Sequence, residues 1–400
     1  MKVITNKDTR LPIKTWCENP EAGAIKQATN LANLPFAFRH IALMPDTHQG
    51  FGMPIGGVLA AEGVIVPNAV GKDIGCGMCF IESNITEWHE NDLLAVKKKV
   101  GFEVPTGMGR AHIKPKDANK MPEVTEDGLI HTKLFEPALY QLGTLGGGNH
   151  FIELQKDSKG NLCIMIHSGS RNMGSKIADY YEKIAKDINA KYFSKIPLEW
   201  GLAFLPLDSE EGQNYIKEMD YCVEFALANR QEMMRAVQNA IYEVFKPRGK
   251  VEFSNFINIP HNYARMENHF GKNVMIHRKG STSAKENQVG LIPGSQGTKS
   301  YVVCGLGNRE SFESCSHGAG RKMSRAEARK KLDLATEIRR MNANNILHSL
   351  KNEIDLDEAP SSYKNIDVVM KEQEDLVKIV NELTPLCPIK GESKERRKRR

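Results

Sequence analysis

The stretch LCIMIHSGSR (162–171) reads as a buried strand that runs into a loop of glycine and serine, with His167 at the junction. A short continuous apolar run that ends in turn-forming residues is typical of a strand in a sheet core. Small residues let a ligand or another backbone come close to the imidazole. The stretch therefore predicts a sheet core that presents a functional side chain at the end of a strand.

The same combination of apolar strand and small-residue loop recurs along the chain. It appears in HIALMPDTHQGFGMPIGGVLA (40–60), GVIVPNAVGKDIGCGMCF (63–80), GTLGGGNHFIEL (143–154), NIPHNYA (258–264), HRKGSTSA (277–284), IPGSQGTKS (292–300) and SCSHGAGR (314–321). Loops from such distant parts of a chain commonly converge on one site that a rigid scaffold holds together.

Regular elements are expected between these loops. Residues 1–110 are expected to hold short strands and glycine-rich loops, and further strands are expected near 251–259, 272–277 and 300–305. Apolar spacing predicts helices over 174–195, 209–246 and 365–383, and a capping-box pattern of Ser324 with Glu327 starts another. We therefore expect an α+β fold, one large mixed domain with a β-sheet core and surrounding helices, in which these loops converge on one site.

The composition is that of a globular protein, with 40% hydrophobic and 26% charged residues. No apolar run approaches the roughly 18 residues that a membrane span needs, so no membrane partner is expected. The N-terminus lacks the apolar segment of a secretory signal, and the eight cysteines are scattered rather than clustered. These features predict a cytoplasmic protein with reduced thiols.

The net charge of +6 is concentrated at the C-terminus. The last seven residues, KERRKRR (394–400), hold six basic residues and one acid, which leaves the rest of the chain about neutral. Residues 392–400 are therefore expected to form a basic, disordered tail. Such a tail suits either an arm that binds nucleic acid or a solubilising end.

The loop DIGCGMC (73–79) offers a carboxylate, Asp73, and a thiol, Cys76, three residues apart in a glycine-rich turn. Both side chains could bind one metal ion, and a thiolate can bridge two. Cys76 and Cys79 also form a C-x-x-C pattern, which suits a zinc knuckle or a redox pair. A second short-spaced pair does not follow, Gly77 disfavours the helix of a redox motif, and a tight turn without chemistry stays an alternative.

Four histidines lie in small-residue loops beside apolar strands: His150, His167, His261 and His317. Three imidazoles with one carboxylate and one thiolate would form a mixed metal site for Mn, Fe or Zn, and the thiolate favours Zn. The loop SCSHGAGR by itself leaves His317 open as a metal ligand, a general base, a nucleophile or a turn histidine. Several familiar sites are excluded, because the sequence contains no P-loop, G-x-G-x-x-G, H-E-x-x-H or K-x-D-G pattern.

Together and in this order, the loops resemble the RtcB family of RNA ligases. The matching motifs are DIGCGM (73–78), LGTLGGGNHFIE (142–153), HSGSR (167–171), HNY (261–263), RKGS (278–281), IPGSQGTKS (292–300), SCSHGAGR (314–321) and Lys390–Gly391. The match extends from about residue 30 to 391, and it implies a single ligase domain over 1–391 with a central metal and GTP cleft. The resemblance implies a ligase that uses GTP and two Mn²⁺ ions to join an RNA 3′-phosphate or 2′,3′-cyclic phosphate to a 5′-hydroxyl. Transfer-RNA splicing and RNA repair both fit, and archease is a candidate activating partner.

The resemblance also implies roles for individual residues. Asp73, Cys76 and His150 would hold one Mn²⁺, and Cys76, His167 and His261 the second. His317 would be the histidine that carries GMP, and Glu153 would read guanine. The full set of nucleotide contacts would be Asn149, His150, Phe151, Ile152, Glu153, His261, Asn262, Pro293, Gly294, Ser295, Gln296, Ser300, His317, Gly318, Ala319, Gly320 and Lys390.

Four other residues are placed less directly by the resemblance. Arg171 and Lys279 are candidate phosphate contacts, and Asp46 and His48 are candidates for a supporting or purely structural role. The chain departs from the family pattern by continuing beyond Lys390–Gly391, which bears only on the Lys390 contact. The alternatives to a ligase are a metal-dependent cyclic-phosphate phosphoesterase and a non-catalytic zinc and RNA-binding protein.

Overall fold

The computed structural model describes residues 1–5, 7–124 and 128–391 of the chain. The basic tail expected over 392–400 lies outside the described residues. Within these ranges, no helix combines the length and the apolar character that crossing a bilayer requires.

Strands and helices are interspersed along the chain, and β10 to β16 follow one another without an intervening α-helix. The strands are β1 (Lys2–Ile4), β2 (Ile13–Thr15), β3 (Ala37–Phe51), β4 (Met53–Ala61), β5 (Val64–Ile65), β6 (Gly77–Ser83), β7 (Phe151–Asp157), β8 (Leu162–Ser168), β9 (Leu205–Pro206), β10 (Phe253–Pro260), β11 (Asn262–His269), β12 (Lys272–Lys279), β13 (Ser281–Ser283), β14 (Val289–Ile292), β15 (Ser300–Gly305), β16 (Ser314–Ser316) and β17 (Val377–Ile389). The helices are α1 (Ala22–Ala32), α2 (Pro67–Val70), α3 (Glu90–Glu103), α4 (Phe135–Leu139), α5 (Arg171–Lys191), α6 (Glu210–Phe245), α7 (Arg325–Lys331), α8 (Leu334–Ala343) and α9 (Ile366–Lys371).

Two larger sheets form the core. One has the order β1-β2-β3-β4-β12-β11, and the other has the order β10-β6-β8-β7-β17-β15-β14. The β2–β3 pair is parallel, and every pair in the seven-stranded sheet is antiparallel. Two short pairs, β13-β16 and β5-β9, complete the β-structure of the described residues. The mixed α+β fold with a sheet core is confirmed.

Helices cover the outer faces of both sheets. Residues of α3 and α6 pack with one face of the seven-stranded sheet, and α1 packs on β3 and β4 of the other sheet. A third apolar cluster joins β3, β4 and β12 to β15 and the start of β17, so the two sheets share a core. This packing fixes the loop ends of both sheets relative to each other.

The predicted helices over 174–195 and 209–246 are confirmed as α5 and α6. The helix that starts at Ser324 is also confirmed, since the Ser324 side chain accepts a hydrogen bond from the amide of Glu327. Within residues 1–110, however, the helices α1 and α3 stand where strands and loops were expected. The alanine-rich helix α1 buries Ala24, Ala28 and Leu31, which recur at helical spacing. The sheet is the surface against which they are buried.

The helix predicted over 365–383 is wrong. Only Ile366–Lys371 is helical, and Val377–Ile389 forms β17 between β15 and β7. Pairing on both sides satisfies the backbone of a segment whose apolar spacing also suits a helix. Pro385 is tolerated inside the sheet because the register of β17 with β7 is interrupted between Pro385 and Cys387.

Candidate metal and nucleotide site

The metal-ligand candidates lie at one end of four adjacent strands, β10, β6, β8 and β7. Gly77 at the start of β6 pairs with Ser168 at the end of β8 and with Pro260 at the end of β10. Phe151 at the start of β7 pairs with His167. Because neighbouring strands run antiparallel, the loop before one strand meets the loop after the next. The register itself therefore brings together the five residues Asp73, Cys76, His150, His167 and His261.

Cys76 stands between two groups of three candidate ligands. Asp73, Cys76 and His150 form one group, and Cys76, His167 and His261 form the other, with all ligand atoms of a group within 4.8 Å of one another. The Cys76 Sγ lies 3.5 Å from Nε2 of His150 and 3.2 Å from Nε2 of His167. A single thiolate is thus placed to bridge two cations.

Hydrogen bonds at Nδ1 orient the imidazoles of His150 and His167 so that Nε2 faces the Cys76 thiol. The Nδ1 of His150 lies 3.0 Å from the Leu145 carbonyl, and the Nδ1 of His167 lies 3.3 Å from the Asn149 carbonyl. A carbonyl partner holds the proton on Nδ1 and leaves the Nε2 lone pair free, as in most metal-binding histidines. The Nε2 atoms of His167 and His261 face each other at 3.3 Å, an arrangement that a cation would stabilise.

The protonation of these groups matches a metal site. Burial, reinforced by the neighbouring imidazoles, lowers the pKa of His167 and of His261 well below the ordinary value, so both rings are neutral. Burial and the Asp73 carboxylate raise the pKa of the Cys76 thiol. A bound cation would displace the thiol proton and form the thiolate ligand.

Cys79 takes no part in the cluster. It lies in the core between β6 and α6, where its sulfur is 3.8 Å from the carbonyl of Arg230. Successive residues of a strand point to opposite faces, and Cys79 is on the face covered by helix. The C-x-x-C spacing is therefore neither a zinc knuckle nor a redox pair in this fold.

His317 lies beside the cluster and is held by a buried carboxylate. Its ring is 4.7 Å from that of His261, centroid to centroid. Its Nδ1 lies 2.6 Å from Oδ2 of Asp46, which also accepts a hydrogen bond of 3.2 Å from the His317 amide. Burial opposes ionisation of Asp46, but the charge and the hydrogen bond of His317 outweigh it and lower the carboxyl pKa. The pair leaves Nε2 of His317 free to react.

Glycine at position 280 makes room for the His317 ring. Gly280 has a φ of +59°, and a Cβ there would lie 3.0 Å from Cε1 of His317 and would overlap the side chain of Ile55. A residue with a side chain would be strained at this φ and would displace the imidazole. This explains the glycine in the motif RKGS.

A cleft of about 820 Å³ opens beside His317. Most of the predicted nucleotide contacts line it: Asn149, Phe151, Glu153, Pro293, Gly294, Ser295, Gln296, His317, Gly318, Ala319, Gly320 and Lys390. His167 and His48 also reach its wall. The cleft therefore connects the metal-ligand cluster, His317 and a buried carboxylate in one continuous space.

Glu153 and Lys390 lie together because β17 pairs with β7. Pro388 of β17 is opposite Glu153, and Ile389 is opposite Ile152, so the next residue, Lys390, reaches the same sheet edge. Burial raises the pKa of Glu153 to about 7, although Gln155 and Lys390 act in the opposite direction. The Gln155 amide donates a hydrogen bond of 2.6 Å to the Glu153 carboxylate.

Glu358, which the sequence did not reveal, organises the far wall of the cleft. Its carboxylate lies 3.2 Å from Nε of Arg325, 3.3 Å from Nη1 of Arg321 and 3.6 Å from Nζ of Lys390. It also accepts a hydrogen bond from the hydroxyl of Tyr363. Only the basic character of the segment after SCSHGAGR could have indicated this wall, since Glu358 itself lies in a polar stretch without a motif.

Five of the predicted nucleotide contacts do not line the cleft: His150, Ile152, His261, Asn262 and Ser300. The Ile152 side chain packs in the core on the opposite face of β7 from Glu153, so it does not line the cleft. The ammonium of Lys279 is buried and donates to the carbonyls of Phe51 and Asn68, at 2.5 and 2.9 Å. The expected phosphate contact of Lys279 is therefore wrong in this structure.

Asn262, Ser300 and Arg171 make hydrogen bonds that support the loops around the site. The Asn262 side chain links the carbonyl of Asp73 to the amide of Gly280. The hydroxyl of Ser300 accepts hydrogen bonds from Gln155 and from the amide of Gly294. The Arg171 guanidinium donates to the hydroxyl of Thr144, on the Asp73 side of the cluster.

Known proteins are similar to this chain over most of its length. A family model described as tRNA-splicing ligase RtcB matches residues 27–136 and 124–391. The chain is 38% identical to the RNA-splicing ligase RtcB1 of Escherichia coli, over 95% of this chain and 97% of that protein. It is 32% identical to the tRNA-splicing ligase RtcB of Thermococcus kodakarensis, over 92% and 91% of the two chains. The chain belongs to the RtcB family of RNA-splicing ligases.

Proposed function

We propose that this protein is a GTP- and Mn²⁺-dependent RNA ligase that joins a 3′-phosphate or 2′,3′-cyclic phosphate end to a 5′-hydroxyl end. The observation that carries the proposal is the position of His317, which lies 4.7 Å from the ring of His261 and lines a cleft that also holds Glu153. The cleft thus brings together a nucleophile, His167 of the two-cation ligand set and a group that can read guanine.

His317 is the nucleophile of the proposed first step. Its Nε2 attacks the α-phosphorus of GTP, an N–P bond forms, and pyrophosphate leaves. Asp46 holds Nδ1 and balances the charge that develops on the ring, which is the role of a carboxylate that orients a reactive imidazole. The RNA 3′-phosphate then takes GMP from His317, and attack by the 5′-hydroxyl expels GMP as the new bond forms.

The ligand set fits two divalent cations. Asp73, Cys76 and His150 would hold one, and Cys76, His167 and His261 the other. When bound, the cations would neutralise phosphate charge and stabilise the leaving oxygens. Neutral imidazoles, a carboxylate and a thiolate do not by themselves select manganese over zinc or iron. The choice of Mn²⁺ rests on the family resemblance.

Guanine recognition is assigned to Glu153. An ionised carboxylate offers two acceptors, and guanine presents two neighbouring N–H donors on one edge. Phe151 lies two residues before Glu153 on the same face of β7, and it also lines the cleft. The ammonium of Lys390 adds a positive charge beside the same edge of the sheet.

A covalent labelling experiment tests the proposal. Incubation with GTP labelled at the α-phosphate and with Mn²⁺ is expected to label the protein through an acid-labile, base-stable bond. The His317→Ala variant is expected to take up no label, and Cys76→Ala is expected to lose both labelling and ligation. His348→Ala offers a matched control, because His348 lies away from the cleft and should leave labelling unchanged.

Two outcomes would contradict the proposal. Label that persists in His317→Ala would place the nucleophile elsewhere. Opening of a cyclic phosphate without labelling or joining would identify a phosphoesterase instead.

The proposed ligase domain spans residues 1–391, and all eight cysteines are free, in keeping with a reducing, cytoplasmic location.

A further inference from the structure

Arg230, near the middle of helix α6, contacts three of the segments that carry the metal-ligand candidates. Its Nη1 donates hydrogen bonds to the carbonyls of Gly75 and Ser168, at 2.9 and 2.8 Å. Its Nε donates to Oδ1 of Asn258 at 2.7 Å. Gly75 immediately precedes Cys76, and Ser168 immediately follows His167. The buried guanidinium of Arg230 therefore holds the segment before β6, the end of β8 and the end of β10.

Asn229, the preceding residue, holds the fourth segment. Its Oδ1 accepts hydrogen bonds from the amides of Gly143 and Thr144, at 2.7 and 3.1 Å. Its Nδ2 donates to the carbonyls of Thr144 and Gly169, at 3.2 and 3.1 Å. The loop that begins at Gly143 leads through Leu145, whose carbonyl is the Nδ1 partner of His150. Asn229 thus connects the His150 loop to the His167 loop.

We propose that Asn229 and Arg230 are positioning residues that set the spacing of the two cation sites. The inference rests on the proposed function in one respect, namely that Asp73, Cys76, His150, His167 and His261 bind metal. Neither Asn229 nor Arg230 carries a ligand atom. They hold the backbone beside Cys76 and His167 and the loop that leads to His150, and Arg230 also holds the Asn258 side chain near the end of β10.

The chemistry of the loops explains why a helix supplies this support. Glycine-rich loops have few side chains with which to satisfy their own buried carbonyls, and each unsatisfied group destabilises the fold. Arginine presents several donors in a rigid plane, so one side chain can fix carbonyls from different segments. Lysine offers a single nitrogen on a flexible stem and cannot reproduce that geometry. Arg230 is fully buried, and its Nη2 has no protein partner among the described residues.

Metal binding by the full chain tests the inference directly. Mn²⁺ affinity is measured by calorimetric titration, and Cys76 coordination is measured by the thiolate-to-metal absorption of the Co²⁺-substituted protein. Loss of an outer partner of metal ligands typically weakens metal affinity about 10- to 100-fold. We expect a loss of this size in Arg230→Lys, with a weakened thiolate absorption at saturating Co²⁺. Arg235→Lys is the matched control, since Arg235 is exposed on the same helix and pairs with Glu232.

A second variant guards against misfolding of the first. Asn229→Asp retains the acceptor for the Gly143 and Thr144 amides but loses the donor to the Gly169 carbonyl, and it should weaken Mn²⁺ binding in the same direction. Circular dichroism and thermal unfolding identify which variants are folded at the temperature of titration. A folded variant at either position with unchanged Mn²⁺ affinity and unchanged Co²⁺ absorption would overturn the positioning role.

The unsubstituted chain separates this inference from the proposed function. If it binds neither Mn²⁺ nor Co²⁺ through the thiol, the metal site itself is wrong and the positioning role falls with it. If it binds both ions, and the folded Arg230 and Asn229 variants bind them as the Arg235→Lys control does, the metal site stands. The positioning role alone is then wrong.

Discussion

At the scale of single residues, the reactivity proposed for His317 depends on Asp46. The Asp46 side chain is fully buried, and its Oδ2 faces both the ring Nδ1 and the amide of His317. This contact fixes the ring orientation and the tautomer. In the proposed mechanism it would also stabilise the positive charge that the imidazole gains as Nε2 forms a bond to phosphorus.

Asp46→Asn is expected to slow guanylylation of His317 while leaving metal affinity unchanged. A hydrogen bond to a charged group contributes about 1.5–3 kcal/mol, which corresponds to a rate loss of about 10- to 100-fold. Single-turnover labelling with α-labelled GTP measures the rate, and Mn²⁺ titration supplies the control because Asp46 contacts His317 rather than the five ligand candidates. An unchanged labelling rate would show that Asp46 is only structural.

Glu153 predicts a pH dependence for nucleotide binding. Its pKa is raised to about 7 by burial, so the carboxylate form predominates above that pH and the neutral acid below it. Guanine needs the carboxylate as an acceptor for its N–H donors. GTP affinity should therefore weaken as pH falls, by up to about tenfold for each pH unit below about 7.

The Glu153→Gln variant separates this effect from titration of the nucleotide itself. Glutamine does not ionise, so the variant should bind GTP weakly at every pH and should keep only the dependence that arises from the phosphates. Equilibrium binding of a fluorescent GTP analogue across the pH range measures both proteins. Identical pH profiles for the two would exclude Glu153 as the titrating group.

At the scale of elements, the loops were predictable and their support was not. Strand β8 and the loop after it follow from the apolar run and the Gly/Ser residues of LCIMIHSGSR. Arg230 and Asn229 could not be found in the same way, since a polar residue in an amphipathic helix gives no signal of which loop it will reach. The contacts of Glu358 are hidden for the same reason, because they depend on how distant segments pack.

The C-terminal segment shows the limit of periodicity. The stretch from Leu376 to Leu383 contains apolar residues at spacings that suit either a helix or a strand. Its neighbours in the sheet, β15 and β7, decide for the strand. That choice has a functional consequence, because only a strand in this register carries Lys390 to the edge where Glu153 lies.

At the scale of the whole molecule, two sheets and a long helix bring loops from distant parts of the chain together. Antiparallel register aligns the ligand-bearing ends of β10, β6, β8 and β7, and the short pair β13–β16 sets His317 beside them. The cleft extends from His167 of the candidate ligand cluster to the Glu153 carboxylate. The proposed transfer of GMP from His317 to an RNA end requires a continuous space of this kind.

The source of the phosphate at the new RNA junction tests the ligase mechanism most directly. An RNA with an isotopically labelled 3′-phosphate is incubated with a 5′-hydroxyl RNA, GTP, Mn²⁺ and the full chain, and the product is digested to nucleotides. Attack of the 5′-hydroxyl on the guanylylated 3′-phosphate predicts that the label is retained in the junction. Release of the label as inorganic phosphate, or a junction phosphate derived from GTP, would contradict the mechanism.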